Sequence, residues 1–334
     1  MNAVSKAVFI ALFLLPSAWP TLPQESACEK RLLPVFATEK DSSMVTTLTS
    51  TDFKLESRSG SMSVVALKHD ERRHRLIIML DVSASMRGLV DHPPLWPVAM
   101  ALARHASYAG GENSDLALVL FSDHVLETIG FSPGRAAIQQ RLEQVAKDPA
   151  FPMPTKANDS RIYDTLEKEA LDLENPSSAD SLLVITDGLD EGSTAKPDQI
   201  IDLLSSSMIR VFTILVDPIH GQRSSVGPDA FVRIVKRSGG KVFGPIDSEN
   251  AAFRKRAKTA EAQKALEEQL EQFYRGIVAN DLLVIRAPSA IQKPETVDLT
   301  LTDSARHKMK KPQIHFPHEI GPCPEIGSSR QKVE

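Results

Sequence analysis

Residues 75–86 read RLIIMLDVSASM, from Arg75 to Met86. A short run dominated by Leu, Ile and Met predicts a strand covered on both faces. Asp81, Ser83 and Ser85 then leave its C-terminal end at every second position, the place where open α/β sheets receive ligands. Leu116–Phe121 (LALVLF), Ser181–Thr186 (SLLVIT) and Ile209–Val216 (IRVFTILV) have the same character. Between them, Leu95–Tyr108, Pro133–Lys147, Arg161–Leu173, Pro197–Ser207 and Pro228–Arg237 carry apolar residues three and four apart, and several open on Pro or a capping residue. Buried strands alternating with amphipathic helices predict an α/β protein with a doubly wound sheet, ending in a short strand at Lys241–Phe243.

The pattern changes on both sides of this core. Upstream, Val35–Ala37, Phe53–Leu55 and Met62–Leu67 read as strands, with Ser59-Gly60 as a hairpin turn between the last two. Downstream, Glu249–Arg275 reads as a long polar helix with its basic residues early and its acidic residues late, an order that opposes the helix dipole. Tertiary contacts through Phe253, Leu266, Leu270, Phe273 and Tyr274 are expected to hold it. Two more strands are expected at Asp281–Arg286 and Thr296–Thr302, and the flanking strands from both ends are expected to form one small sheet. The expected organisation is a signal peptide over 1–27, a β-rich N-terminal flank over 32–70, the α/β domain over 75–245, a helix-plus-β C-terminal flank over 249–320 and a disordered tail over 321–334.

The 334 residues are enough for about two domains, and 42% hydrophobic against 25% charged residues is a globular mix. A formal net charge of −4 offers no basic field to hold a phosphate backbone, so nucleic acid is not an expected partner. Met1–Pro20 places Lys6 before an apolar run from Ala7 to Leu15 that stops at Pro16, the pattern of an export signal. About nine apolar residues cannot cross roughly 30 Å of hydrocarbon as a helix, and no other segment approaches that length, so no stable membrane span is expected. The expected location is periplasmic or secreted. Two cysteines are too few for Cys-rich zinc or iron–sulfur modules. In an oxidising compartment Cys28 and Cys323 either pair, worth at most about 5 kcal/mol by chain entropy, or stay free.

The chemistry sits at strand ends. Besides Asp81, Ser83 and Ser85, the run Ser181–Thr186 leads into Asp187 and Gly188, which puts a carboxylate at the end of a second buried strand. Hard divalent cations take oxygen ligands, and two Asp with several hydroxyls meet that demand. Alone, D-x-S-x-S is a weak signal that reads more readily as a helix cap. Paired with T-D-G in this strand order, it resembles the von Willebrand factor type A (VWFA) family over about Arg75 to Gly244. The resemblance implies a mostly parallel doubly wound sheet with one antiparallel edge strand and a metal-ion-dependent adhesion site holding Mg²⁺ (or Mn²⁺/Ca²⁺). By position, Asp81, Ser83 and Ser85 match the family's first loop, Ser160 stands at the threonine of the second, and Asp187 matches the acid of the third. The second loop, Asn158 to Asp164, lacks the family's two glycines, and Asp159 adds a carboxylate there. Val45, Leu48, Asp52, Phe53 and Leu55 also resemble the lead-in of bacterial exported VWFA-related proteins.

The resemblance implies a binding and adhesion module, not an enzyme, whose partner is a protein offering a carboxylate. A metal-assisted hydrolase is the alternative, with Asp91, His92 and Asp190 as candidate bases; His105, His124 and His220 are scattered. A metal-free scaffold is the third reading, motivated by the altered second loop.

Overall fold

The computed structural model describes residues 30–40, 43–58, 60, 62–87, 95–108, 111–148, 160–216, 228–246, 260–279, 281–287, 291 and 293–322. Four strands come first: β1 (Lys30–Thr38), β2 (Met44–Val45), β3 (Phe53–Ser57) and β4 (Ser63–His69). The continuous apolar runs then become β5 (His74–Asp81), β6 (Ser114–Phe121), β8 (Asp180–Thr186) and β9 (Arg210–Val216), with β7 (Val125–Ile129) and β10 (Val242–Ile246) completing one sheet. Its order is β10-β9-β8-β5-β6-β7, and every neighbouring pair is parallel except β6–β7.

Period-two alternation explains why these runs are apolar throughout. Leu76, Ile78 and Leu80 of β5 face one core, and Ile77 and Met79 face the other. The short α1 (Ala84–Arg87) follows β5. The first core is covered by α2 (Trp96–Ala106) and α3 (Gly134–Lys147), through residues such as Met100, Ala103, Ile138 and Leu142. The second is covered by α4 (Ile162–Asp172), α5 (Pro197–Ser207) and α6 (Pro228–Arg237), through Leu166, Leu204 and Phe231. The chain leaves β5 toward β6 on one side, whereas β8 continues to β9 on the other. The order therefore reverses between β5 and β8, the point of an open α/β sheet where ligands are received.

The remaining elements are α7 (Ala260–Ile277), β11 (Asp281–Arg286), β12 (Glu295–Leu301), α8 (Asp303–His307), β13 (Gln313–His315) and β14 (Glu319–Ile320). Leu270, Phe273 and Tyr274 of α7 are buried in the first core, and the Tyr274 hydroxyl donates to the Leu102 carbonyl at 3.1 Å. Tertiary contacts through these three residues hold the helix, as expected; its described part starts at Ala260 and carries Arg275 in its last turn, while the early basic residues, Phe253 and the Leu266 side chain lie outside the described residues. No helix among the described residues is long and apolar enough to cross a membrane.

Strands from both flanks do pair, but they form two sheets instead of one. β11 lies between β1 and β4, with Leu33 opposite Leu283 and Leu283 opposite Leu67; β12 lies between β3 and β14. The expected β3–β4 hairpin does not form. Gly60 turns the chain at a φ of 66°, yet β3 pairs with β12 and β4 with β11, because the apolar faces of both strands are buried in one shared core with C-terminal partners. The edge strand β7 is only half-buried and carries no apolar run, which hides it from a periodicity reading. Cys28 and Cys323 lie outside the described residues, as do the stretch expected to be signal peptide and residues 323–334 of the expected tail.

A buried cation ties the α/β core to the end of α7. Arg210 is fully buried at the start of β9, and its Nη2 donates to the Ile277 carbonyl at 3.0 Å. Its guanidinium sits 5.5 Å from the centre of the Phe212 ring, while Nε and Nη1 have no partner among the described residues. Burial pushes its pKa down to about 10, against the opposing pull of Asp180, Asp281 and Asp70. Replacing a buried charge by an apolar chain of similar length is often neutral, whereas truncation leaves a void; in either variant the Ile277 carbonyl keeps the Ser181 hydroxyl at 3.5 Å. Urea denaturation should therefore find Arg210→Met within about 1 kcal/mol of wild type and Arg210→Ala about 3 kcal/mol less stable.

Candidate metal centre

Asp81 is the last residue of β5, and no part of it reaches solvent. Its carboxylate accepts three hydrogen bonds from three segments of the chain. Oδ1 takes the Ser83 amide at 2.9 Å, and Oδ2 takes the hydroxyls of Ser160 at 3.1 Å and Thr186 at 2.7 Å. The Ser83 and Ser85 hydroxyl oxygens are 3.2 Å apart. The Val82 amide donates to the Phe121 carbonyl at 2.8 Å, so the first loop is pinned to the end of β6 as it leaves the sheet.

Asp187 follows β8, the strand beside β5, and only 2% of it is exposed. Its Oδ1 accepts the Leu189 amide at 3.1 Å. Its Oδ2 is buried and has no hydrogen-bond partner among the described residues. Burial, and then the neighbouring charge of Asp81, push the Asp187 carboxyl up to about 7, with the Ser85 hydroxyl and the Leu189 amide partly opposing. Burial also raises Asp81, against the hydrogen bonds from Thr186, Ser83 and Ser160. Among the described residues, the two carboxylates buried side by side have no positive partner, and one oxygen has no hydrogen-bond partner.

The second loop reaches this centre by an unexpected route. Arg161 precedes α4, and no side chain at that position caps the helix. The loop after β8 does it instead. Ser193 Oγ accepts the amides of Tyr163 and Asp164, both at 3.1 Å, and Asp190 accepts the Tyr163 amide at 3.2 Å and the Ser193 hydroxyl at 2.6 Å. In return Asp164 accepts the amides of Thr194 at 2.9 Å and Ala195 at 2.8 Å. Ser160 is held directly as well, its carbonyl accepting the Glu191 amide at 3.0 Å, and the Arg161 amide donates to Ser122 at 2.9 Å. A chain without the two glycines still delivers the Ser160 hydroxyl to Asp81.

Asp81, Ser83, Ser85, Ser160 and Asp187 thus come together at the ends of β5 and β8. The reciprocal capping and the hydroxyl of Thr186 were not anticipated; the only hints were the spacing of Asp190 and Ser193 and the first letter of T-D-G. Asp190 is engaged as a cap, which leaves it poorly placed as a general base. His124 pairs with Asp123 at 2.7 Å, and His105 stacks on Tyr274. Asp91, His92, Asp159 and His220 lie outside the described residues.

The donor set suits a hard cation. Ser83, Ser85 and Ser160 offer neutral hydroxyl oxygens, and the unpartnered Oδ2 of Asp187 offers a charged one. No group of three or more His, Cys, Asp or Glu side chains gathers among the described residues, so these hydroxyls are integral to any such centre.

The sequence matches no protein-family model, and no curated protein is similar to it. Several solved structures are similar to parts of the chain. A von Willebrand factor type A structure from Catenulispora acidiphila is 14% identical, covers 78% of this chain and 71% of its own, and has a TM-score of 0.38. Proximal thread matrix protein 1 from the mussel byssus, with a zinc-occupied MIDAS motif, is 16% identical over 66% of this chain with a TM-score of 0.45. The chain covers 50% of that mussel protein. BatB from Bacteroides thetaiotaomicron is 16% identical, with 59% of this chain and 98% of its own covered and a TM-score of 0.36.

The Asp187 carboxyl gives a pH signature with a definite sign. Its folded-state pKa, about 7, lies above the ordinary 3.8, so the folded chain keeps a proton that the unfolded chain has released. The stability it contributes is complete below about pH 4 and is lost as pH rises through about 7, at up to about 1.4 kcal/mol per pH unit. In metal-free buffer, thermal unfolding should show a fall across this window that is smaller in Asp187→Asn. At pH 8 that variant should unfold several degrees higher than wild type.

Proposed function

We propose that the chain is a non-enzymatic VWFA-type binding module, with a doubly wound sheet carrying a metal-ion-dependent adhesion site. In this reading Ser83, Ser85, Ser160 and Asp187 hold a divalent cation, Mg²⁺ or else Mn²⁺ or Ca²⁺, and Asp81 orders the hydroxyls around it. The observation that carries the reading is the buried Oδ2 of Asp187, without a hydrogen-bond partner among the described residues, beside the serine hydroxyls and a second buried carboxylate. That oxygen is costly to bury without a positive neighbour.

When bound, the cation supplies an electrophilic position with little of its charge cancelled by the protein. The chain's own residues then determine the partner. One free carboxylate oxygen and three neutral hydroxyls leave the centre short of negative charge, which favours a protein ligand that brings a carboxylate of its own. The engagement of Asp190 as a helix cap argues against the hydrolase alternative. We extend the reading to the exported, VWFA-related branch on the strength of Met1–Pro20 and the Val45–Leu55 phrase, with the α/β domain over 75–245 between β-rich flanks. A Cys28–Cys323 bridge would close those flanks covalently.

Calorimetric titration of the purified chain tests this directly. Mg²⁺ and Mn²⁺ should each release heat and raise the thermal midpoint, and Asp187→Ala should abolish both effects. Asp81→Ala should weaken metal binding at least tenfold, as expected when a group that orients the ligands is lost. Absence of heat and of any thermal shift in the wild type would leave the metal-free scaffold. Metal-dependent turnover of phosphoester or peptide substrates, lost in Asp187→Ala, would favour the hydrolase.

A further inference from the structure

Thr186 is no member of the proposed ligand set, yet the set is assembled through it. It ends β8 and is fully buried, and its hydroxyl makes two hydrogen bonds. It donates to Asp81 Oδ2 at 2.7 Å and accepts the Gly188 amide at 3.0 Å. We propose that Thr186 is a positioning residue for the metal centre, fixing the Asp81 carboxylate and through it the hydroxyl that Ser160 presents to the cation. The proposal rests on the metal-binding reading above.

The donor inventory forces the arrangement. A hydroxyl has one proton, an amide N–H can only donate, and an ionised carboxylate can only accept. The Gly188 amide therefore takes a lone pair of the Thr186 oxygen, and the single proton is committed to Asp81. Ser160 is bound by the same logic. Its proton goes to the same Oδ2, so its lone pairs remain for a cation. Of the two hydroxyls on that oxygen, Thr186 makes the shorter bond and is the better anchored. It stands on the strand next to Asp81, where Leu80 pairs with Ile185 one residue earlier, and its branched Cβ restricts rotation.

The second bond links the first loop to the third. Gly188 has a φ of 83°, a conformation that lets the chain turn sharply after Asp187 and aims its amide back at Thr186. One hydroxyl thus couples the turn that carries Asp187 to the carboxylate that gathers Ser83 and Ser160. A side chain of the same shape without the hydroxyl releases both ends. Asp81 Oδ2 would be left with Ser160 alone, and the Gly188 amide would lose its acceptor.

The test compares Mn²⁺ affinity by calorimetry, and the thermal midpoint of the metal-free protein, in wild type and four variants. Thr186→Val should weaken Mn²⁺ binding about 10- to 100-fold, the usual cost of losing a group that orients metal ligands. Thr186→Ser should bind within about threefold of wild type, because it restores the donor and acceptor. Thr186→Ala, which opens space instead of crowding the site, should repeat the weakening and replaces the Val variant if that chain does not fold. Thr213→Val is the control. Its hydroxyl is equally buried one strand away and donates to the Val184 carbonyl at 2.9 Å, so its loss should lower the metal-free midpoint without moving Mn²⁺ affinity. Wild-type affinity in Thr186→Val or Thr186→Ala overturns the proposal alone. Equal weakening in Thr213→Val also overturns it, since general loosening of the sheet would then suffice. A wild-type chain that takes up no Mn²⁺ overturns the metal reading and the proposal together.

Discussion

A carboxylate taken out of water must be given hydrogen bonds or surrender its charge, and Asp81 is completely out of water at the end of a buried strand. Three donors answer that demand, and each arrives from a different part of the chain: the Ser83 amide from the turn after β5, the Ser160 hydroxyl from the entry to α4, and the Thr186 hydroxyl from the end of β8. The strand order makes this convergence possible. β5 and β8 are neighbours whose chains depart in opposite directions, the point in an open α/β sheet where segments from different parts of the chain can meet. The apolar sheet below fixes the spacing, and the polar cluster above needs that spacing to a few tenths of an ångström.

Much of the α/β core was legible because its signal is local. Residues such as Leu76 to Leu80 are buried on both faces, so burial shows as an unbroken apolar run, and the helices carry their own stripes and start signals. The pairing of the flanks was legible only in outline. β3 and β4 are adjacent in sequence and look like two arms of a hairpin, but which strand each one joins depends on partners more than two hundred residues away. No window of sequence contains that information. β7 fell between the two cases, since a half-buried edge strand has too few apolar residues to announce itself.

At the candidate metal centre the residues with unusual spacing were readable, and the residues that hold them were not. Asp81, Ser83 and Ser85 alternate, and Asp187 ends an apolar run, so all four stand out. Asp190 and Ser193 look like ordinary loop residues until they are seen accepting amides of α4. The same contact explains how Ser160 is delivered by a loop with no glycines: the first turn of α4 is satisfied by a neighbour, and its own entry segment is relieved of that work. Thr186 was visible as a letter in a phrase. Its role appears only when β5 and β8 lie side by side.

The interleaving of the two flanks constrains the order in which the molecule can be made. β5 to β9 can pair among themselves as soon as that stretch exists, whereas β1, β3 and β4 must wait for β11 and β12, made much later. Until then the N-terminal strands present unpaired edges, the state in which β segments seek unintended partners. The closure of so long a loop costs entropy that only the final pairing repays, so the flanking sheets are expected to be the slow, late step of folding. A chain emerging from a ribosome would complete the polar cluster at the ends of β5 and β8 before its flanks, and a chain passed unfolded through a membrane would face both tasks at once on the far side.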